Sequence, residues 1–166
     1  MALMEEAEIK SRIIKVISLW EPWATAMRRK LKKNETRSWW CGHRGWLAIH
    51  AAKKEYKPRD YDFEFNRMVQ GQGIWPHHLT TSYGHILCIT KMVGCEKTDR
   101  VGHLVSEQER GWGNYDPKRY AWITSPADLV EFDPIPLRGR QGLFEWEMPE
   151  EIANLLMRAE PGKPTE

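Results

Sequence analysis

Short apolar and β-branched runs, cut by glycine and proline, constrain this chain more than anything else in it. They are IIKVISLW at 13–20, WLAIHAAK at 46–53, GHILCITKMVGC at 84–95, YAWITS at 120–125 and LVEF at 129–132. Runs of this length and composition read as strands. In WLAIHAAK the strand period of two puts Leu47, Ile49 and Ala51 on one face and Trp46, Ala48 and His50 on the other. Helical spacing is confined to EPWATAMRRK at 21–30, RDYDFEFNRMVQ at 59–70 and PEEIANLLMRA at 149–159. Too few helices alternate with the strands for a doubly wound βαβ sheet. The pattern predicts an α+β mixed or antiparallel β-barrel of about six strands with two to four flanking helices.

A chain of 166 residues supports one domain and is short for two. The expected division is an N-terminal extension over 1–12, the domain over 13–148, and a C-terminal helix with a disordered tail over 149–166. The segment DRVGHLVSEQERGWGNYDPKR at 99–119 is polar and broken by glycine and proline. It reads as a loop, or a short helix plus loop, of the kind that carries function. No apolar run reaches the length of a membrane span. The start, MALMEEAEIK, is acidic and unlike a signal peptide. The expectation is a cytoplasmic monomer, nuclear if the source is eukaryotic. Cys41, Cys88 and Cys95 are odd in number and have no CxxC spacing, so neither a disulfide framework nor a zinc site is expected. No cofactor is expected.

The net charge of +2 conceals an asymmetry. From Arg28 to Arg59, eleven Lys and Arg face only Glu35 and Glu55, a surplus of nine, whereas from Glu145 onward two cations face six carboxylates. A basic first half is suited to a polyanion, and equally to a solvated surface. Nine tryptophans are many for this length. Indoles bury large area in cores, and beside cations they stack unpaired bases.

The two signals meet in RRKLKKNETRSWW at 28–40. Read as a strand, ETRSWW puts Glu35, Arg37 and Trp39 on one face, and Lys32 in the preceding turn can reach it. A carboxylate between two cations is held ionised. Glu35 could then accept from an exocyclic amine while Arg37 offers its planar fork to a phosphate or a base edge. A Glu35–Arg37 pair that only braces the chain is the competing reading. Trp20 serves equally as stacking platform or core plug, and Trp23 has core spacing. Tyr120 and Trp122 share a strand face and read as core, with a wall of the cleft as the alternative. His50 reads as a hydrogen-bonded structural residue or a site group. Arg28, Arg29, Lys33, Lys53 and Lys54 are candidate phosphate contacts.

The run ISLWEPWATAM…KLKKNETRSWW…RGWLAIHAAK, with YGHILCITKMVGC and KRYAWITSPADLVEFDPIPLRGRQGLFEW later, resembles the ASCH domain of the PUA-like superfamily over about residues 13–147. Lys32, Glu35 and Arg37 take the Lys, Glu and Arg positions of the family's G-x-K-x-x-E-x-R signature, and Lys30 stands at its glycine. The resemblance implies a PUA-like barrel with a cleft lined by the signature residues. It implies recognition of RNA, single-stranded DNA or a modified nucleobase, with Trp20, Trp23, Lys32, Glu35, Arg37, Trp39 and His50 as the site and a nucleoside as a possible ligand. One branch of the family hydrolyses N4-acetylcytidine, with Thr at the position of Glu35, so that activity does not carry over directly. A hydrolase on the same site, nucleoside amidohydrolase or ribonuclease, would use Lys32 as base or nucleophile and Glu35 as its partner. A protein-interaction module is the third alternative.

Overall fold

The computed structural model describes residues 2–159. Its strands are β1 (Ile13–Leu19), β2 (Asn34–Arg37), β3 (Gly45–Ala51), β4 (His85–Lys97), β5 (Tyr120–Pro136) and β6 (Leu143–Glu147). The α-helices are α1 (Ala2–Ser11), α2 (Trp23–Arg28), α3 (Phe63–Gly71), α4 (Thr98–Val101), α5 (Glu107–Gly111) and α6 (Glu150–Ala159). Two single turns of 3-10 helix lie at Pro58–Asp60 and Pro76–Leu79.

The strands form one mixed sheet in the order β2-β5-β4-β3-β1-β6. Only β1 and β3 run parallel; every other neighbouring pair is antiparallel. The architecture is the expected α+β fold with a six-stranded, barrel-like sheet, and the ladder stays open because β2 and β6 do not pair. All seven residues of β3 are buried because both faces of the sheet are covered. The period of two sends Leu47, Ile49 and Ala51 into one apolar cluster with Met27 and Trp122, and Trp46 and Ala48 into another with Phe144 and Leu156.

The runs YAWITS and LVEF, read separately in the sequence, belong to one continuous β5 that runs on to Pro136. The reason lies in the ladder: Ser125 pairs with Lys91 and Val130 with Ile89, so Pro126 to Leu129 bulge out between paired ends. A proline lacks the N–H a ladder needs, and a bulge accommodates it. The predicted strand ETRSWW is shorter than expected. β2 stops at Arg37, and Ser38 to Trp40 turn away from it.

Residues 2–11 pack as α1 on the sheet. Ile9 enters the cluster that holds Ile152 and Leu156 of α6, and buried Glu5 lies 2.9 Å from Lys91 Nζ. The predicted tail over 160–166 falls outside the described residues. In α3, Asp62 caps the N-terminus by accepting from Phe65 N, at 2.8 Å. The stripe of Tyr61, Phe65, Met68 and Val69 packs with Trp112 into a third cluster beside α2. The polar segment after β4 contains α4 and α5, and its last residues return to β2.

Candidate functional site

A cavity of about 820 Å³ opens where β1, β2 and the start of α2 meet two returning loops. Trp20, Trp23, Trp39, Phe65 and Trp112 supply its aromatic walls. Its charged lining consists of Glu35, Arg37, Arg119 and Arg140, three guanidinium groups to one carboxylate.

Glu35 and Arg37 sit two apart on β2, so both leave the strand on the cleft side. Glu35 is clamped between two cations: Lys32 Nζ is 3.1 Å from Oε2, and Arg37 Nε is 2.9 Å from Oε1. The second contact is an ion pair without hydrogen-bond alignment, since the Arg37 Nε–H has no acceptor in line. Arg37 Nη2 donates to the Ser18 carbonyl of β1 at 3.2 Å.

Lys32 is 2% exposed and donates to the Asn34 carbonyl as well as holding Glu35. It does not line the cleft and braces Glu35 from behind. Lys30 has φ of +59°, the left-handed region that glycine enters without strain. The turn into the site therefore has a glycine geometry carried by a lysine.

The two exposed indoles of the cleft differ in support. Trp39 meets Trp122 edge to face at 4.5 Å, and its carbonyl accepts from Trp122 Nε1 at 3.2 Å. Trp122 is fully buried, so it is the backing of Trp39 and not a wall of the cleft. Tyr120 packs partly buried against the same cluster. Trp20 is 52% exposed, with Lys54 Nζ 3.5 Å from its ring centroid. Trp23 stacks on Phe65 at 5.0 Å and donates to the Trp112 carbonyl at 3.0 Å, so it serves core and wall at once.

Other sequence candidates lie elsewhere. His50 is 1% exposed and is not among the cleft-lining residues. Arg28 and Arg29 line a second cavity of about 450 Å³ with Gly73, His78 and Glu131. Arg28 there lies 3.5 Å from Glu131, and Arg29 donates to the Gly73 carbonyl at 3.0 Å. Lys33 and Lys53 are exposed, outside the cleft lining. Of the five phosphate candidates, only Lys54 stands beside the cleft, through Trp20.

Much of the site comes from residues that the sequence marked only as part of the polar segment 99–119, or did not mark at all. Trp112, Gly113, Asn114 and Arg119 belong to the loop after α5. Glu109 latches that loop to β2: its buried carboxylate accepts from Lys33 N at 3.0 Å and Asn34 N at 2.8 Å. Arg119 donates to the Asn114 and Thr36 carbonyls at 3.2 Å each, and Thr36 Oγ1 accepts from Asn114 N. Gly113 is required there, because a Cβ would lie 2.7 Å from the Tyr115 ring. The Ser106-x-x-Glu109 spacing is a helix-start signal that could have marked α5. Ser106 Oγ does accept from Glu109 N, yet the carboxylate serves β2 instead of closing the capping box. Arg140 and Gln141 come from the loop after β5.

Among the described residues, no group of three or more His, Cys, Asp and Glu is placed to hold a metal ion. No helix there is long and apolar enough to cross a membrane.

No protein-family model matches the chain. No curated protein matches it either. Among solved structures, the chain is similar to the ASCH protein of Zymomonas mobilis. The two share 17% identity over 87% of this chain and 93% of that one, with a TM-score of 0.48. Two point variants of that protein are similar at TM-scores of 0.47 and 0.46, with 17% and 16% identity. They span 87% and 86% of this chain and 94% and 96% of theirs.

Proposed function

We propose that the cleft binds a nucleobase of single-stranded RNA or DNA. One observation carries the reading: a carboxylate fixed between Lys32 and Arg37 faces a cavity walled by tryptophans and bordered by Arg119 and Arg140. Glu35 accepts from a base amine, Arg37 donates beside it, an indole stacks on the ring, and the outer arginines meet phosphates. The volume of about 820 Å³ admits a nucleotide with its flanking phosphates. In this reading Lys32 orients Glu35 and does not attack a substrate, because its ammonium is buried and engaged on both sides.

Titration of short RNA and DNA oligonucleotides against tryptophan fluorescence, over a series of salt concentrations, tests the proposal. Affinity is expected to fall with salt at a logarithmic slope of about −1.4 for the two phosphate contacts of Arg119 and Arg140 on a single strand. Trp20→Ala is expected to cost about 1–3 kcal/mol, the range for loss of one stacking platform. Binding that ignores salt and survives both Trp20→Ala and Glu35→Gln rejects the reading.

A further inference from the structure

The cleft wall formed by residues 137–142 lies between β5 and β6 and has no helix or strand of its own. Arg138 and Arg140 are exposed, so their side chains do not hold it. Its first residue anchors it, with the Leu137 side chain packed on the core cluster of Ile86 and Phe144 and with two backbone contacts: Leu137 N donates to the Gly84 carbonyl at 3.0 Å, and the Leu137 carbonyl meets His50 Nε2 at 2.8 Å. Gly139 closely approaches the same imidazole. A Cβ at that position would come within 2.7 Å of His50 Cε1, 3.1 Å of Nδ1 and 3.2 Å of Ser18 Oγ.

The partners assign the tautomer. A carbonyl oxygen only accepts, so Nε2 carries the hydrogen toward Leu137. In the neutral ring Nδ1 is then the acceptor, and Ser18 Oγ donates to it at 2.8 Å. Burial pushes the His50 pKa down, with His85 as a lesser contributor, which agrees with a neutral ring. Ser18 is itself a cleft residue, and its carbonyl receives Arg37 Nη2. One buried imidazole thus ties the loop bearing Arg140 and Gln141 to the strand that seats Arg37.

We propose that His50 is a positioning residue for the anionic part of the ligand. By clamping Leu137 and Gly139 it sets where the Arg140 guanidinium stands at the cleft mouth, and it does so without touching the ligand. The inference rests on the nucleic-acid reading for its consequence, though the clamp itself can be measured without ligand.

The experiment has two arms. In the first, amide hydrogen exchange of the ligand-free full chain is compared between wild type, His50→Ala and His50→Gln. Faster exchange over 137–142 in His50→Ala, restored by His50→Gln, is expected, since the Gln amide can still donate to the Leu137 carbonyl. Unchanged exchange overturns the clamp. In the second arm, affinity for a single-stranded oligonucleotide is measured against salt. His50→Ala is expected to flatten the slope by about 0.7, the value of one lost phosphate contact on a single strand. Arg140→Ala is expected to do the same, and the double variant no more than either. A slope unmoved by either change, or losses that add in full, overturns the positioning role. Should His50→Ala fail to fold, Gly139→Ala imposes the same displacement from the loop side. A wild type that binds no oligonucleotide refutes the reading of the cleft, and the exchange arm alone then judges the clamp.

Discussion

Glu109 lies outside the cleft lining, yet its removal should abolish the cleft. Its carboxylate is 6% exposed and receives the backbone N–H groups of Lys33, at 3.2 and 3.0 Å, and Asn34, at 2.8 Å. Glu109→Ala leaves both donors without acceptors at the entry to β2. An orphaned buried donor costs about 1–3 kcal/mol. Asn34 is fully enclosed and sits in the upper part of that range, whereas Lys33 borders solvent and sits in the lower part. The sum is about 3 kcal/mol, or roughly 6–12 °C in the thermal midpoint of a domain of this size. Glu109→Gln keeps one carbonyl oxygen and should lose about half as much. The assay is thermal unfolding followed by circular dichroism, with oligonucleotide affinity measured well below the midpoint. Affinity should fall in Glu109→Ala even where the protein is fully folded, because Trp112, Asn114 and Arg119 stay in place only while the loop is latched. A midpoint within about 2 °C of wild type, with unchanged binding, would refute the reasoning.

Three further outcomes follow from the geometry. Lys30→Gly should raise stability by about 0.5–1 kcal/mol by chemical denaturation, because relief of left-handed strain outweighs the entropy that glycine adds to the unfolded chain; a loss of stability contradicts the strain. Trp122→Phe should cost about 1–2 kcal/mol and weaken ligand binding, since it keeps the ring contact but removes the N–H that holds the Trp39 carbonyl; binding equal to wild type would show that Trp39 needs no such support. Burial raises the Glu8 pKa to about 7 from 4.5, with Glu5 adding to the effect. The folded state thus holds that proton more tightly than the unfolded one, and this contribution to stability is lost as pH rises from about 4.5 through 7. In Glu8→Gln that decline should vanish from a pH series of unfolding curves.

Lys32, Glu35 and Arg37 could be read as one cluster because local geometry alone brings them together: a tight turn, then a strand of period two. Trp39 is different. It follows β2 by two residues, and a fully buried Trp122, from a neighbouring strand more than eighty residues on in the sequence, decides where its ring goes. His50 was legible as a polar residue on an apolar strand but not as a clamp, since Leu137 and Gly139 lie almost ninety residues away. The basic surplus between Arg28 and Arg59 dispersed for the same reason. Arg28 and Arg29 turn with α2 toward Gly73 and Glu131, and charge counting along a chain is blind to that rotation.

Strand and helix periods, turn residues and the Lys32–Glu35–Arg37 spacing follow from backbone sterics and from contacts within a few residues. To that extent the chain alone determined an α+β sheet and the inner wall of a site. The outer wall of Trp112, Asn114, Arg119, Arg140 and Gln141 comes from the loops that precede and follow β5, and only the folded sheet brings both to one cleft. Such contacts depend on long-range loop closure and on buried polar latches, Glu109 and His50, whose partners are backbone atoms. Every residue has those atoms, so no pattern of side chains announces which ones a carboxylate or an imidazole will take.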